Sequence, residues 1–562
     1  MSFKNFNIDD ILKYKEYFKN HLHSINLINI PKIQSNIDNN YLLILKKNYN
    51  DFALIISELW KVCNEPINIK QSYKKLKNYY NKFNAYYHKS YEKEQSELTR
   101  IDKDLYDYIK IDNHIHVSAL MTSKELKEYI NLNKNINKVS IFELNNIIDY
   151  KKKNNIVDFE YFNNKYYIAG IGIQHPINNL RQCFLKPNIK KGEYVLKNIN
   201  TNDKKLNITN IGYLDCEKPH FANIIKYIAK KRLKQNIYMD LRISLYGKSK
   251  NELNDLSEWF LNNKLHKLKN INWYIQIPRI PHILLKETFN NNKESYFKLI
   301  INWFNNIFIP IKQAYENNDK LIIKFLKYIV GFDSVDNENE PDKIFYSNIG
   351  TFITEKDIKK NFKSNDNPFN YSMYIYFMWY YISDINNLIK NKYKNKNLFK
   401  FKPHSGELGY SHHLLTSFLL SDSICHGTNL IDLNASKQKN PIDILKKNKN
   451  NVLLMLYCKT RFGCAFSPIS NHYLSRSFNL SHLDILFKCG LNFSLTTDDP
   501  LMFHLSDNPL LEEYINSKNI YNFRLTDLLE LINNSYQISS NHTEIININS
   551  RKNIRKKLIK IY

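Results

Sequence analysis

An α/β protein built on a (β/α)8, TIM-like barrel, with a helical N-terminal region and C-terminal helices, is what this sequence predicts. Three observations carry that expectation. From about residue 109 onward, short apolar runs alternate with helical segments: YIKIDNHIHV, YMDLRISLY, INWYIQIPRI, YIVGFDSVD, FKFKPHSGE, SDSICHGTNL, FGCAFSPISN and LNFSLTTDDP. Strand-then-helix repetition marks parallel β/α units, and around eight of them over roughly 400 residues suit a barrel with insertions. Each run turns polar at its carboxyl end, where barrels place their chemistry. An open doubly wound sheet is the alternative, but no glycine-rich phosphate loop follows the first run.

The elements before the barrel read differently. Residues 1–105 are expected to form a helical region: DFALIISELWKVC spaces its apolar residues at three and four, and SYKKLKNYYNKFNAYYHKSYEKEQ follows with mixed charge and aromatics. Residues 106–562 are assigned to the barrel, its insertions and its C-terminal helices. Two Asn/Lys-rich stretches, NINTNDKKLNITN (198–210) and LNASKQKNPIDILKKNKNN (433–451), read as surface insertions. No internal repeat is visible.

Composition narrows the partners. The chain has 562 residues, 43% hydrophobic and 14% aromatic, which excludes wholesale disorder. Lys+Arg number 81 against 54 Asp+Glu, a formal charge of +27. Lys, Asn and Ile recur in loops and helices alike, so the charge reads as compositional bias, and without a reader motif nucleic acid is not an expected partner. The seven cysteines (63, 183, 216, 425, 458, 464, 489) include no C-x-x-C pair, which argues against a disulfide framework and a cysteine zinc ribbon. The start, MSFKNFNIDDILKYKEYF, has charges where a signal peptide needs an apolar core. NYSMYIYFMWYYIS (370–383) is uncharged but shorter than the about 20 residues a bilayer requires, so a buried aromatic helix is expected. A soluble, cytoplasmic protein with no membrane partner follows.

Four elements carry candidate chemistry. In IKIDNHIHV, His114 and His116 fall on one side of a strand, about 7 Å apart along it, so their imidazoles can converge on one ion. Alone, an H-x-H pair also arises by chance. In FKPHSGELG, His404 offers a third imidazole, and Glu407 follows past a serine and a glycine; a capping Glu on a loop is the plain alternative. SDSICHGTN places His426 before Gly427. SLTTDDPLMFH ends a β-rich stretch with Asp498 and Asp499 before Pro500; on a strand they would point oppositely, while a helix N-cap explains only one of them. Three His and one Asp at strand ends match a catalytic zinc site with a position open for water, and Glu407 and His426 stand beside it for proton transfer.

The motifs IDNHIHVSALM, KPHSGELG, LLTSFLLSDSICHG, SPISN and LTTDDPLMFH resemble, in order, those of the adenosine/AMP deaminase family of metal-dependent hydrolases. SLYGKS, WYIQIPRI, GFDSVDNE and the aromatic YSMYIYFMWYY are similar to AMP deaminase in particular, and the resemblance covers roughly residues 50 to 545. It implies one Zn2+ per subunit on His114, His116, His404 and Asp498. It further implies His426 as general base, Glu407 as proton donor to purine N1, and Asp499 as a hydrogen-bond partner near N7. The implied substrate contacts are His116, Glu407, Asp499, Pro500, Leu501, Met502 and the segment YFNNKY, that is Tyr161, Phe162, Asn163, Asn164, Lys165 and Tyr166. Family members carry Lys where Tyr161 stands, which removes one cation from the expected 5′-phosphate site; Arg279 is a further candidate there. AMP is the implied substrate, IMP and ammonia the products. The resemblance also implies a homo-oligomer, dimer or tetramer, and control by purine-nucleotide effectors. The alternatives are an adenosine deaminase-like hydrolase of the free nucleoside, or a basic binding protein on a decayed barrel.

Overall fold

The structure, a computed structural model, describes residues 7–23, 32–34, 37–89, 108–122, 124–125, 128, 220–247, 249–279, 296–335, 338, 371–393 and 398–539. Within them run β1 (Lys110–His116), β2 (Ile237–Ser244), β3 (Ile271–Pro278), β4 (Ile329–Val335), β5 (Lys400–Phe401), β6 (Ser423–Cys425), β7 (Gly463–Phe466) and β8 (Phe493–Leu495). Each lies inside one of the apolar runs named above, except that β2 begins one residue earlier, at Ile237. All pair in parallel, in chain order, as a sheet β1-β2-β3-β4-β5 and a sheet β6-β7-β8.

The two sheets meet at both edges. Parallel bridges join His404 to Cys425 and Ile115 to Asp498. At the second seam the N–H of His116 donates to Asp498 O at 3.0 Å, and the N–H of Asp498 donates to His114 O at 2.9 Å. Thus the segment after β8 is hydrogen-bonded to the end of β1.

β1 and β3 are buried at every position, as expected of parallel strands covered on both faces. A polar residue in such a strand must find a partner or a ligand. The C-terminal helix Leu525–Ile538 uses some of them: Asn113 donates to Ser535 O at 3.1 Å and Lys402 to Ile538 O at 2.6 Å, which satisfies carbonyls of its last turn.

Helices α1 (Ile8–Leu22), α2 (Asn39–Asn64) and α3 (Pro66–Lys89) form the N-terminal layer. α1 begins with a capping box, Asn7 accepting from the N–H of Asp9 and Asp10 while the Asp10 carboxylate accepts from the N–H of Asn7. α2 stops at Glu65, which is extended as a residue before proline must be, and α3 starts on Pro66. The buried faces of α1 and α2 meet helix Tyr371–Lys392: Phe18 packs edge-on to Trp379 at 5.2 Å, and Phe52 stacks on Tyr376 at 4.8 Å. Residues 371–383 of that helix are all buried. Among the described residues no helix is long and apolar enough to cross a membrane.

The stretch LNASKQKNPIDILKKNKNN, read from its composition as a surface insertion, has regular structure. It forms helices Leu433–Ser436 and Pro441–Lys447, capped by the side chains of Asp432 and Asn440, with Ile444 and Leu445 buried. Asn440 lies within the stretch and Asp432 directly before it. The stretch 198–210 lies outside the described residues.

Candidate metal centre and active site

Chain ends of β1, β5, β6 and β8 deliver the candidate residues to one place. His114 and His116 close β1; His404 follows β5, His426 follows β6, and Asp498 follows β8. One ligand atom each from His114, His116, His404 and Asp498 lies within 4.8 Å of the other three, and all four residues are buried. The ring centroids of His114 are 4.9 Å from His116 and 4.5 Å from His404. Asp498 Oδ1 is 3.1 Å from His116 Nε2 and 3.6 Å from His114 Nε2.

These donors suit a cation. Both ring nitrogens of His114 and the Oδ1 of Asp498 are buried and make no hydrogen bond. Lone pairs aimed together without donors are costly in a protein interior unless a ligand takes them up. Bonds of about 2 Å from imidazole nitrogen and carboxylate oxygen to zinc are compatible with a cage of this size. A second overlapping set, His114, Asp333, His404 and Cys425, is also close. Its carboxylate and thiol are already engaged by Arg242, at 3.2 and 3.4 Å, and burial pushes the Cys425 thiol up. The first set is therefore the better cage.

The cage is held from behind. Gln276 Oε1 lies 2.6 Å from His116 Nδ1, and its amide nitrogen donates to Ser244 Oγ at 2.9 Å. Asp333 Oδ1 lies 3.0 Å from His404 Nδ1 while its Oδ2 accepts from Arg242. Each partner fixes a ring orientation and leaves the other nitrogen toward the cage. Ser470 donates to Asp498 Oδ2 at 2.6 Å, so Oδ1 is the oxygen left for the cage. Burial opposes charge on Asp498, but the imidazoles of His114 and His116 overcome it and hold this carboxyl well below the usual range.

Beside the cage stand Glu407 and His426. His426 Nε2 is 3.7 Å from Glu407 Oε2, and Glu407, His426 and Asp498 form a third close set. Burial, then the charge of Asp498, pushes Glu407 up to about 8. Burial pushes His426 down to about 4. A carboxylic acid next to a neutral imidazole is the pairing that a proton donor and a proton acceptor need at neutral pH. The loop carrying Glu407 is gripped by buried Glu338, which accepts from the N–H of Gly406 at 2.8 Å and of Glu407 at 3.2 Å. Gly406 has φ +70°, and a Cβ there would come within 2.5 Å of Leu414 Cδ2.

Asp498 and Asp499 do not alternate along a strand. β8 ends at Leu495, Asp498 adopts left-handed backbone with φ +60°, and Asp499 is the N-cap of helix Pro500–Phe503 without its side chain capping it. The chain turns there to return Asp498 to β1, which strand periodicity does not encode. Pro500, Leu501 and Met502 are buried in that short helix. Arg279 is buried just past β3. Tyr161, Phe162, Asn163, Asn164, Lys165 and Tyr166 lie outside the described residues.

Five residues escaped the reading by residue type: Gln276, Asp333, Glu338, Ser470 and Asn471. All fall inside the quoted segments WYIQIPRI, GFDSVDNE and SPISN. For Gln276 and Asp333 the available signal was a polar side chain within an otherwise apolar strand; Glu338, Ser470 and Asn471 follow strands among other polar residues and carry no such signal.

Fold and cage define a parallel-stranded α/β protein with a candidate metal centre at its strand ends. The chain belongs to the AMP deaminase family, whose sequence profile matches residues 3–553. It is 30% identical over 472 residues to AMP deaminase 1 of Homo sapiens, covering 79% of this chain and 54% of that protein. It is 29% identical over 462 residues to AMP deaminase of Dictyostelium discoideum, covering 77% and 50%. The Arabidopsis thaliana AMP deaminase is 29% identical over 468 residues, covering 78% and 48%. The chain thus spans about half the length of the relatives it matches.

Proposed function

We propose that this protein is a zinc-dependent AMP deaminase, converting AMP and water to IMP and ammonia. The observation that carries the proposal is the buried cage of His114, His116, His404 and Asp498 with Glu407 and His426 at its side, in a chain of the AMP deaminase family. Those four residues would hold the ion. Bound there, zinc supplies Lewis acidity that brings the pKa of a water down to about 7.

The chain's own residues move the protons. Glu407, kept protonated by burial, donates to purine N1 as the water oxygen bonds C6, and His426 accepts a proton from that water. Protonating N1 draws electron density from C6, without which addition to the aromatic ring is unfavourable. His426 then returns its proton to the exocyclic nitrogen, the C6–N bond breaks, and ammonia leaves. The hydroxyl proton at C6 passes to the Glu407 carboxylate, leaving C6=O with N1 protonated. Asp499 is proposed to bond near N7, with Pro500, Leu501 and Met502 against the purine, as the family resemblance implies. Tyr161, Phe162, Asn163, Asn164, Lys165 and Tyr166 are proposed for the ribose 5′-phosphate, with Arg279 as a further cation.

We also propose that the two sheets belong to one closed (β/α)8 barrel domain assigned to residues 106–562, supported by the bridges at both seams, with residues 1–105 as a separate N-terminal helical region. The family resemblance supports a cytoplasmic homo-oligomer under purine-nucleotide control. The test is ammonia release from AMP and from adenosine by one preparation of known metal content. AMP turnover far above adenosine turnover, with one zinc per chain, is expected; comparable rates would overturn the AMP assignment.

A further inference from the structure

The helix Pro468–Leu474 touches both halves of the site through consecutive residues. Ser470 bonds Asp498, as described above. Asn471, 1% exposed, places its Nδ2 3.0 Å from His426 Nδ1 and 3.2 Å from Glu407 Oε1. One amide group therefore sits between the proposed acid and the proposed base. The helix itself is anchored: the N–H of Asn471 donates to Ser467 O at 2.8 Å, and that of Ile469 to the buried Glu513 carboxylate at 3.2 Å.

An amide can serve this place in two ways. With Nδ2 facing the pair it donates to both, which requires a bare Nδ1 on His426 and therefore a proton on Nε2. Its own Oδ1 is then buried without a hydrogen bond. Turned over, the amide presents Oδ1, which accepts the Nδ1–H of His426 and the acid proton of Glu407. Only this second arrangement leaves His426 Nε2 bare. Nε2 is the nitrogen that faces Glu407, and the second arrangement leaves it free to accept a proton while moving Nδ2 into the buried position that Oδ1 otherwise holds without a hydrogen bond.

We propose that Asn471 is a positioning residue that holds His426 in its Nδ1-protonated tautomer and fixes Glu407 beside it. The proposal rests on the deaminase reading, which needs a bare Nε2 on His426 to take the proton of water. Asn471 acts through its two neighbours and touches no reacting atom. An isosteric leucine removes both contacts; an aspartate keeps an acceptor for Nδ1–H but can donate nothing.

The test uses the full chain with and without zinc, as parent, Asn471→Leu and Asn471→Asp. The imidazole tautomer of His426 is read from long-range 15N–1H correlations on histidine-labelled metal-free protein, the signal being assigned by its loss in His426→Asn. The expected spectrum shows Nδ1 protonated in the parent and in Asn471→Asp, with the Nε2-protonated form growing in Asn471→Leu. In the zinc-loaded protein, kcat on AMP is expected to fall on the order of 100-fold in Asn471→Leu and less in Asn471→Asp, with KM and metal content little changed. An Nε2-protonated His426 in the parent would overturn the proposal, as would a tautomer indifferent to residue 471. A loss confined to KM or to metal content would also overturn it. Should the leucine variant not fold, Asn471→Ala takes its place under the same criteria. A parent chain inert toward AMP would count against the deaminase reading, while the spectra would still decide the role of Asn471.

Discussion

The inner face of the N-terminal helical layer and the strand-end cage are both buried, yet they are built on opposite principles. α1 and α2 are fixed by shape. Phe18, Tyr49, Phe52, Tyr376 and Trp379 fill one aromatic volume, and any of them is a large apolar surface before it is anything else. The cage is fixed by direction. Its members come from positions as far apart as His114 and Asp498, and three of the four are aimed by a specific polar neighbour: His116 by Gln276, His404 by Asp333 and Asp498 by Ser470. Volume tolerates approximate substitution and aim does not. A protein can thus lose stability in one region without losing its site, and lose its site in the other while remaining folded.

The sharpest way to break this comparison is Asp498→Ala. It removes the one carboxylate of the cage while the bridge to β1, made by backbone N–H and C=O groups, is kept. We expect loss of bound zinc by atomic absorption, turnover of AMP at background, and a folded protein by circular dichroism. Unfolding in place of metal loss would mean that the cage is structural and that the two regions do not differ as claimed.

Phe52→Ala is the converse. Its side chain is buried against Phe18 and Tyr376, so truncation removes apolar contact and opens a cavity, at a cost of about 3–5 kcal/mol. Denaturant unfolding of the metal-free chain should show that loss, with zinc content and turnover at low temperature unchanged. A parallel loss of zinc would tie the layer to the cage and remove the distinction.

How far each region was legible in the sequence follows from the same difference. Helical spacing in DFALIISELWKVC marks its apolar face because every turn repeats the information. The eight strand runs were legible for a related reason: buried parallel strands read as apolar stretches that stop abruptly. His114, His116, His404, His426 and Asp498 stood out because each interrupts or ends such a run. Gln276 and Asp333 sit in the same kind of run and stayed silent, since their meaning lies in a histidine about 3 Å away on another strand, which no spacing records. The turn at Asp498 was misread for want of the same information, because its positive φ is imposed by the seam with β1 and not by a local motif. LNASKQKNPIDILKKNKNN hid its two short helices behind a composition rich in Asn and Lys.

The mildest prediction probes the aim alone. Gln276→Leu keeps the volume of the side chain and introduces no charge, but it removes the acceptor that lies 2.6 Å from His116 Nδ1 and frees Ser244 from its bond. His116 would keep its place on β1, which backbone pairing with Arg242 on β2 fixes, and lose only the orientation of its ring. Loss of such an outer partner costs about 10- to 100-fold in metal affinity. Competition with a zinc chelator should therefore show weaker binding by that factor, with denaturant stability of the metal-free chain changed by no more than about 1–3 kcal/mol for the stranded hydroxyl. Unchanged zinc affinity would show that packing alone orients His116, and the contrast between a region held by shape and one held by direction would fail at the residue where it is cleanest.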